Sequence, residues 1–310
     1  MLSRTADSLF WLARYLERAE STARLISMGQ RMAILPGAHH REEWKSIIRV
    51  TGCQHLFAPE AVIRETDVVE RLLLDADNPA SIRSCLSRAR ANGKSVRTAL
   101  TQDMWEALNE GWRNLESYDV AEARAELPSI LDWVKSRAMA FHGATESGHL
   151  RDERHDFLLV GAALERAQSV LRLLDVKYYV LLPETDVVGG NRDHYQWTSV
   201  LYALSGNRAY HHVYGGVYTP WKITDFLMLN RRFPRSVLYC LDQLSYRLGR
   251  LAQWHGQRRP CHDSIEQMVQ ALAVKTSGDI FRRGLHETVV ETLADCNRLG
   301  VEIADAYHFG

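Results

Sequence analysis

The sequence predicts an all-α protein, a helical bundle built from two homologous halves related by a pseudo-twofold axis. Three observations lead to this fold class. Strand signals are nearly absent, apolar residues recur at three- and four-residue spacing, and two motifs appear twice in the same order. With 310 residues, of which 46% are hydrophobic and 25% charged, the chain has the composition of a globular protein that buries a large core.

The helices are predicted from apolar periodicity and from turn formers that interrupt it. They cover approximately residues 3–27, 60–74, 79–115, 120–143, 151–182, 194–214, 221–230, 234–256, 262–275 and 279–307. Breaks are expected at 34–40, 142–149, 184–194 and 256–263, which contain glycine or proline. Pro79 and Pro234 are expected in the first turn of their helices, where a missing amide hydrogen costs nothing.

The first repeated motif is a charged helical segment. YLERAESTARLI at 15–26 returns as ALERAQSVLRLL at 163–174. Aligning Glu17 with Glu165 gives an offset of 148, and six further positions then carry identical residues. Because the charged segment occurs twice, an ordinary amphipathic surface helix explains it less well.

The second repeated motif lies downstream of the first. LLLDADNPASIRSCL at 72–86 matches LMLNRRFPRSVLYCL at 227–241, with an offset of 155. The two offsets differ by 7, which one loop insertion explains. A single duplication, rather than a solenoid, fits a period near 150. We therefore expect a first half at 1–147 and a second at 148–310.

The polar face of the repeated helix is narrow. On a helical wheel of about 100° per residue, apolar Phe10 and Leu25 share one arc with the polar residues of the first copy: Arg14, Glu17, Arg18, Ser21 and Arg24. The second copy replaces Arg14 by Ala162 and otherwise keeps the pattern, with Glu165, Arg166, Ser169 and Arg172. This arrangement predicts a helix that is buried on more than one side.

Three interpretations of the charged arc are open: an exposed face, an ionic lock between the halves, and a site for a charged ligand. An exposed helical ion pair contributes only about 0.2–0.5 kcal/mol. A buried pair that loses one partner costs about 3–5 kcal/mol. The excess of arginine over glutamate favours recognition of a carboxylate or phosphate, because the guanidinium group bonds such anions in bidentate fashion.

Charge and cysteine usage exclude several classes of protein. Lysine plus arginine equals aspartate plus glutamate, 38 against 38, so no overall field favours nucleic acid or an anionic membrane. Five dispersed cysteines without CxxC spacing fit a reducing compartment. No signal peptide and no membrane-spanning run are evident. We expect a cytoplasmic protein.

Metal and thiol chemistry are not expected. The pairs His39–His40 and His211–His212 point about 100° apart on a helix, and HExxH is missing. Cys261 beside His262 lacks the hydrogen-bond geometry that a nucleophile and its base require. The glycine pair in VVGGNRDH, 187–194, is interpreted as a turn. For the aromatic run at 210–221, a contact surface and packing between helices are equally open.

LERAESTARLI, LERAQSVLRLL, FPRSVLYCL, DVKYYVLLP and YQWTSVLYALSGNRAYHHVY together resemble the bacterial Alpha-E family, helical proteins named for a Glu-Arg motif. The resemblance covers essentially all of the chain. It places the Glu-Arg motif at Glu17–Arg18 and Glu165–Arg166, the aromatic segment at Gln196–Trp197, and the Pro-Arg-Ser helix start at 234–236. The first half has Ala80 in place of the arginine of that last motif.

The resemblance implies an accessory role beside circularly permuted ATP-grasp ligases and transglutaminase-like proteins, in ATP-dependent amide-bond or peptide formation. ATP is then bound by the ligase, with no intrinsic cofactor and no metal. An amino-acid or peptide substrate would be held by Arg14, Glu17, Arg18, Arg24, Glu165, Arg166, Arg172 and Arg235. Two alternatives are open: a stand-alone enzyme on an anionic substrate, with Glu165 as a base tuned by burial and Arg166, and a structural protein whose Glu-Arg pairs lock its halves.

Overall fold

The computed structural model of the chain describes residues 3–33, 40–179 and 190–309. These residues form α-helices joined by turns, without any β-strand, so the predicted all-α class is confirmed. The helices are α1 Ser3–Ala33, α2 His40–Val50, α3 Glu65–Val68, α4 Ile82–Ser95, α5 Gln102–Leu115, α6 Val120–Ala125, α7 Leu127–Gly148, α8 Glu153–Tyr179, α9 Asn191–Ala203, α10 Asn207–Tyr214, α11 Pro220–Thr224, α12 Val237–His255, α13 Pro260–Ala273, α14 Ser277–Arg283 and α15 Leu285–Tyr307.

The centre of the bundle is formed by α1 and α8, the two helices that carry the repeated charged motif. Helix α1 packs against α8, α4, α7 and α9, and α8 packs against α12 and α15. Apolar side chains on several sides of α1 are buried, including Leu9, Phe10, Leu16 and Leu25. The prediction of a helix buried on more than one side is confirmed.

A glycine permits the close approach of α1 to α8. A methyl group on Gly161 would overlap the backbone carbonyl of Phe10. Two helix backbones can come this close only where a side chain is absent. The close contact lies one turn from Glu165, and it holds the charged stretches of the two helices side by side.

The proline-containing motifs adopt the same local structure in both halves. A π-helical turn, Val69–Leu74 or Asp225–Leu229, is followed by an extended residue. The serine six positions after that extended residue caps the next helix: Ser81 Oγ accepts from Ser84 N at 3.0 Å, and Ser236 Oγ accepts from Tyr239 N at 3.1 Å. Each serine hydroxyl also donates to the carbonyl of the extended residue.

The serine caps correct one prediction. Pro79 and Pro234 lie two residues before the N-cap rather than inside the first helical turn, so their placement at a helix start was wrong. Their carbonyl groups instead accept from the thiols of Cys85 and Cys240, at 3.4 and 3.8 Å. The prolines therefore shape the turn that leads into α4 and α12.

Several helix boundaries also differ from the predicted ones. The helix expected over 79–115 is divided into α4 and α5 because Thr101 begins a new helix, accepting from Met104 N at 3.2 Å. Helix α2 was not predicted, although its buried Trp44, Ile47 and Ile48 have helical spacing. Helix α1 extends to Ala33, six residues beyond its predicted end. None of the described helices is long and apolar enough to cross a lipid bilayer.

Candidate functional site

The two Glu-Arg motifs bind each other in crossed order. Arg18 on α1 donates to both carboxylate oxygens of Glu165 on α8, from Nε at 2.7 Å and from the terminal nitrogen at 2.9 Å. Reciprocally, Arg166 on α8 donates to both oxygens of Glu17 on α1. The glutamate of each motif thus pairs with the arginine of the other motif.

These carboxylates are sequestered from water. Glu165 is 0% and Glu17 is 2% exposed, whereas the side chains of Arg18 and Arg166 remain 24% and 22% exposed. Burying an unpaired carboxylate costs several kcal/mol, so the bidentate guanidinium partners are what make this burial possible. Of the three interpretations of the charged arc, the exposed face is therefore excluded.

The guanidinium groups determine how both carboxyl groups titrate. Burial by itself raises the pKa of Glu165, but the charges of Arg18 and Arg14 outweigh burial and lower that pKa to about 2. At Glu17 burial also raises the pKa, but Arg166 and then His142 outweigh burial and hold that pKa far below its usual range. Both groups are carboxylates at neutral pH.

Further cations surround Glu165. Arg14 Nε donates to Glu165 Oε2 at 2.9 Å, and Arg172 lies 3.7 Å from Oε1. The guanidinium carbon of Arg14 also sits 4.6 Å from the ring centroid of Trp11, a cation–π contact that fixes it from the other side. Glu165 is therefore shared by three arginines.

The Glu17 side of the cluster contains a second acidic residue. Glu20 Oε1 accepts from Arg24 at 2.7 and 3.0 Å and from Arg235 at 2.7 Å. Arg235 reaches α1 because the Ser236 cap places it immediately before the first turn of α12. His142 Nε2 on α7 lies 2.9 Å from Glu17 Oε1.

All eight sequence-predicted site residues therefore take part in the ion pairs around Glu165 or in those around Glu17 and Glu20, which together are the ionic cluster. Three further residues that were not predicted to take part also belong to it. These three are Glu20, His142 and Gln168, of which Gln168 Oε1 accepts from Arg14 at 3.1 Å. Glu20 and Gln168 occupy equivalent positions at the 148-residue offset, a signal that was present in the alignment. His142 has no comparable signal, because only the fold brings α7 to α1.

The cluster has an excess of positive charge. Six guanidinium groups, those of Arg14, Arg18, Arg24, Arg166, Arg172 and Arg235, face three carboxylates, those of Glu17, Glu20 and Glu165, which leaves three formal positive charges before His142 is counted. Burial and then the neighbouring Arg235 lower the pKa of Arg24. Such a surplus in a largely buried region favours an anion.

The same residues are less suited to binding a cation. Glu17, Glu20 and His142 offer ligand atoms within 4.8 Å of one another, a spacing that a metal ion could use. However, Arg24, Arg166 and Arg235 already bond these carboxylates. The nearby guanidinium charges oppose a divalent ion at this position.

The Alpha-E family model, described as a predicted alpha-helical domain with a conserved ER motif, matches residues 1–308. The paired Glu17–Arg18 and Glu165–Arg166 dipeptides are Glu-Arg motifs in this chain. The chain belongs to the Alpha-E family.

Relatives of this Alpha-E chain include uncharacterized proteins from Mycobacterium bovis and from two strains of Mycobacterium tuberculosis, CDC 1551 and H37Rv. Each is 22% identical over 315 aligned residues, which cover 94% of this chain and 34% of the relative. The chain thus spans about a third of the length of the curated relatives that it matches. No solved structure matches it significantly.

The other motifs considered in the sequence, around Cys261 and Gln196, make contacts within the fold. Cys261 is fully buried, and burial raises the pKa of its thiol to about 11. His262 Nε2 lies 3.1 Å from the carbonyl oxygen of Leu248, so this imidazole is engaged with backbone. In the resemblance-derived aromatic segment, Gln196 accepts from Lys177 Nζ at 2.6 Å and Trp197 is buried. Residues 187–189 of the glycine-containing stretch lie outside the described ranges.

The aromatic run at 210–221 divides between core and surface. Tyr210 is fully buried and stacks on Tyr218, with ring centroids 5.0 Å apart. Trp221 is 49% exposed and contacts Phe281 at a centroid distance of 4.0 Å. Packing between helices therefore explains the first part of the run.

A second buried ion cluster was missed at the sequence level. Asp156 on α8 is 0% exposed and accepts from Arg247 at 3.2 Å, Arg250 at 2.9 Å and Trp254 Nε1 at 3.2 Å, all on α12. Asp156 lies at the first turn of α8, where its charge also suits the helix dipole. This cluster fastens α8 to α12.

A cavity of 710 Å³ lies beyond the ionic cluster, at the C-terminal end of α1. Its lining residues come from α1, α2, α3 and α7 and do not belong to the cluster: Ser27, Gln30, Arg31, Ala33, Trp44, Glu65, Pro128, Asp132 and Lys135. The Glu-Arg pairs therefore do not face this cavity.

Proposed function

We propose that this Alpha-E protein is an accessory partner of an ATP-grasp-type ligase, circularly permuted as in the resemblance, and that it binds or positions an amino-acid or peptide substrate during ATP-dependent amide-bond or peptide formation. The observation that carries the proposal is the surplus of three guanidinium charges around buried carboxylates. Arginine suits the carboxylate or phosphate groups of such substrates because it bonds them in bidentate fashion.

The partly exposed arginines are the groups offered to the substrate. Side chains of Arg18, Arg166, Arg172 and Arg235 are 19–26% exposed, whereas Arg14 and Arg24 are 10% and 6% exposed and act as inner supports. Glu17 and Glu165 orient these guanidinium groups through the crossed pairs. In this proposal ATP and its metal belong to the ligase, and a transglutaminase-like protein is a further partner.

The length of the relatives supports an accessory role. In the mycobacterial proteins, the matching segment is only 34% of the polypeptide, so an Alpha-E segment there is joined to other sequence. A segment that works beside other domains fits a subunit that positions a substrate for a partner. We place the partnership in the cytoplasm.

We further propose that the two halves, 1–147 and 148–310, arose by duplication and are related by a pseudo-twofold axis. The crossed pairs support this, because each motif makes the same contact to the other. The matching caps of Ser81 and Ser236 support it as well. The boundary coincides with the end of α7 at Gly148.

The experiment is an ATP-dependent product assay with the ligase that co-purifies with the tagged protein from its host. We expect amide product only when both proteins are present, and no ATP hydrolysis by the Alpha-E protein alone. Arg235→Gln should lower product formation, whereas the matched control Arg298→Gln, on an exposed face of α15, should not. Turnover without a ligase, or a ligase indifferent to the protein, contradicts the proposal.

A structural lock is the second candidate, and the crossed pairs favour it specifically. Both carboxylates of the pairs are already occupied by guanidinium groups of the opposite helix. Glu165→Gln separates the candidates: a lower melting temperature with unchanged ligase-dependent product supports the lock alone. Glu165 as a general base is less favoured, since a pKa of about 2 makes a weak base at neutral pH. Burial does shift its pKa, as predicted, but the charges that lower this pKa belong to Arg18 and Arg14 rather than to the predicted Arg166.

A further inference from the structure

Equivalent positions of α1 and α8 differ in one charge. On α1, Glu20 and Arg24 form a helical ion pair at 2.7 Å, one turn apart. At the 148-residue offset the corresponding residues of α8 are Gln168 and Arg172. The arginine is kept, but the carboxylate that would neutralise it is replaced by an amide.

Gln168 does not compensate for the missing charge. Its Oε1 accepts from Arg14 at 3.1 Å, and its Nε2 donates to Asn297 Oδ1 at 2.8 Å. The amide is 1% exposed and is held by these two contacts on the side of α15. It is therefore directed to other partners than Arg172.

Within the described ranges, the counter-charge of Arg172 is distant. Its terminal nitrogen lies 3.7 Å from Glu165 Oε1, and Arg18 Nε occupies that same oxygen at 2.7 Å. Among the described residues, Arg172 donates no hydrogen bond. Burial, offset in part by Glu165 and reinforced by Arg18 and Arg14, lowers its pKa. A guanidinium in this state gains more from an added anion than one that is already paired.

Solvent reaches this part of the cluster. The side chains of Arg172 and Arg18 are 26% and 24% exposed, and both approach the same carboxylate oxygen of Glu165. Their guanidinium groups therefore lie close together around one oxygen atom. An oxyanion placed beside them would meet two cations that Glu165 alone neutralises incompletely.

We propose that Arg172, with Arg18 beside it, forms a binding subsite for an oxyanion, either a carboxylate or a phosphate group. The role of this subsite in positioning a substrate rests on the proposed function. Its ability to bind an oxyanion does not. Gln168 leaves the subsite positive, because a glutamate at that position would add a negative charge one helical turn from Arg172, as Glu20 does for Arg24. In the other half of the cluster, where Glu20 is present, three arginines face two carboxylates, one positive charge fewer than around Glu165.

The test uses the purified full chain with arginine Nε–H groups observed by ¹⁵N NMR, at constant ionic strength set with sodium chloride. Two probes distinguish the sources of the anion: inorganic phosphate, and N-acetyl-L-alanine for a carboxylate. We expect one of them to shift the Arg172 resonance saturably. Arg172→Gln should abolish binding, and the exposed control Arg298→Gln should leave it unchanged.

Gln168→Glu is the decisive variant because it keeps every arginine. It should weaken binding on the order of tenfold, the effect of losing one charge-assisted hydrogen bond. Circular dichroism and thermal melts identify any variant that fails to fold. No saturable shift with either probe, or the same affinity in Gln168→Glu as in the wild type, overturns the inference.

The outcome is separable from that of the proposed function. Anion binding without ligase-dependent product counts against the ligase partnership and leaves the subsite in place. Product formation without anion binding at Arg172 removes the subsite and leaves the partnership in place.

Discussion

Arg18 bonds both carboxylate oxygens of Glu165, at 2.7 and 2.9 Å, across the contact between α1 and α8. The two residues are 147 positions apart in the chain, and Glu165 is fully buried. The interaction is therefore a tertiary one that only the complete bundle can form. It makes the stability of the fold depend on a carboxylate that has no access to water.

Replacing Glu165 should destabilise the protein strongly. Glu165→Gln places a neutral amide between Arg14 and Arg18: its single oxygen can accept, its NH2 group replaces the other acceptor, and the guanidinium charges are no longer balanced. We expect the free energy of unfolding to fall by about 3–5 kcal/mol, measured by urea titration at pH 7. Glu291→Gln, in an exposed ion pair with Arg283, is the matched control and should change it by less than about 1 kcal/mol. Equal effects of the two substitutions would contradict the role given to Glu165.

Stability should also fall in acid. The folded-state pKa of Glu165 is lowered from 4.5 to about 2, so this group stabilises the fold fully above pH 4.5 and loses that contribution as pH falls towards 2. The contribution is on the order of 3 kcal/mol, and the low pKa of Glu17 acts in the same direction. Urea titrations between pH 7 and pH 2.5 measure it. Glu165→Gln should flatten the profile; a profile of unchanged steepness would show that Glu165 is not its cause.

Gly161 should be intolerant of the smallest side chain. Gly161→Ala forces a methyl group against the Phe10 carbonyl and should cost about 1–3 kcal/mol of unfolding free energy. Gly143→Ala on α7, where nothing lies within 4 Å, should instead stabilise the helix by about 0.5–1 kcal/mol. Thermal melts of the two variants test this. An unchanged or raised melting temperature in Gly161→Ala would show that α1 and α8 can separate without cost.

The cysteines should be unreactive in the folded protein. All five are free and buried, and burial raises the pKa of Cys85, Cys240 and Cys296 to about 12. A buried neutral thiol is a poor nucleophile. A colorimetric disulfide reagent at pH 8 should therefore titrate none of them within minutes, and all five in 8 M urea. Rapid reaction of one thiol in the native state would indicate an opening that the packing does not provide.

The helical class and the charged cluster were accessible from the sequence because they depend on periodicity and repetition. The polar positions of the arcs that contain Glu17 and Glu165 differ only at Arg14 and Ala162, and the burial of both arcs followed from the apolar residues that flank them. The crossed order of pairing did not follow, because a helical wheel contains no information on which helix lies opposite. His142 and Asp156 were missed for the same reason.

Boundary errors had local causes. The capping hydroxyl of Thr101 interrupts a continuous apolar pattern, and periodicity alone does not detect such an interruption. Ser81 and Ser236 displaced the two prolines from the expected first turn in the same way. Side-chain hydrogen bonds to backbone, rather than hydrophobic spacing, decided these positions.

The crossed pairs have a consequence for how the polypeptide is made. When the first half has left the exit tunnel of the ribosome, Glu17 and Arg18 are already outside it, but their partners at 166 and 165 are still inside and cannot pair with them. Neither fragment, if cut at the 147/148 junction, contains the bidentate guanidinium partner of its own motif glutamate. Separately expressed fragments should consequently reassociate with one another, since each supplies the charges that the other lacks.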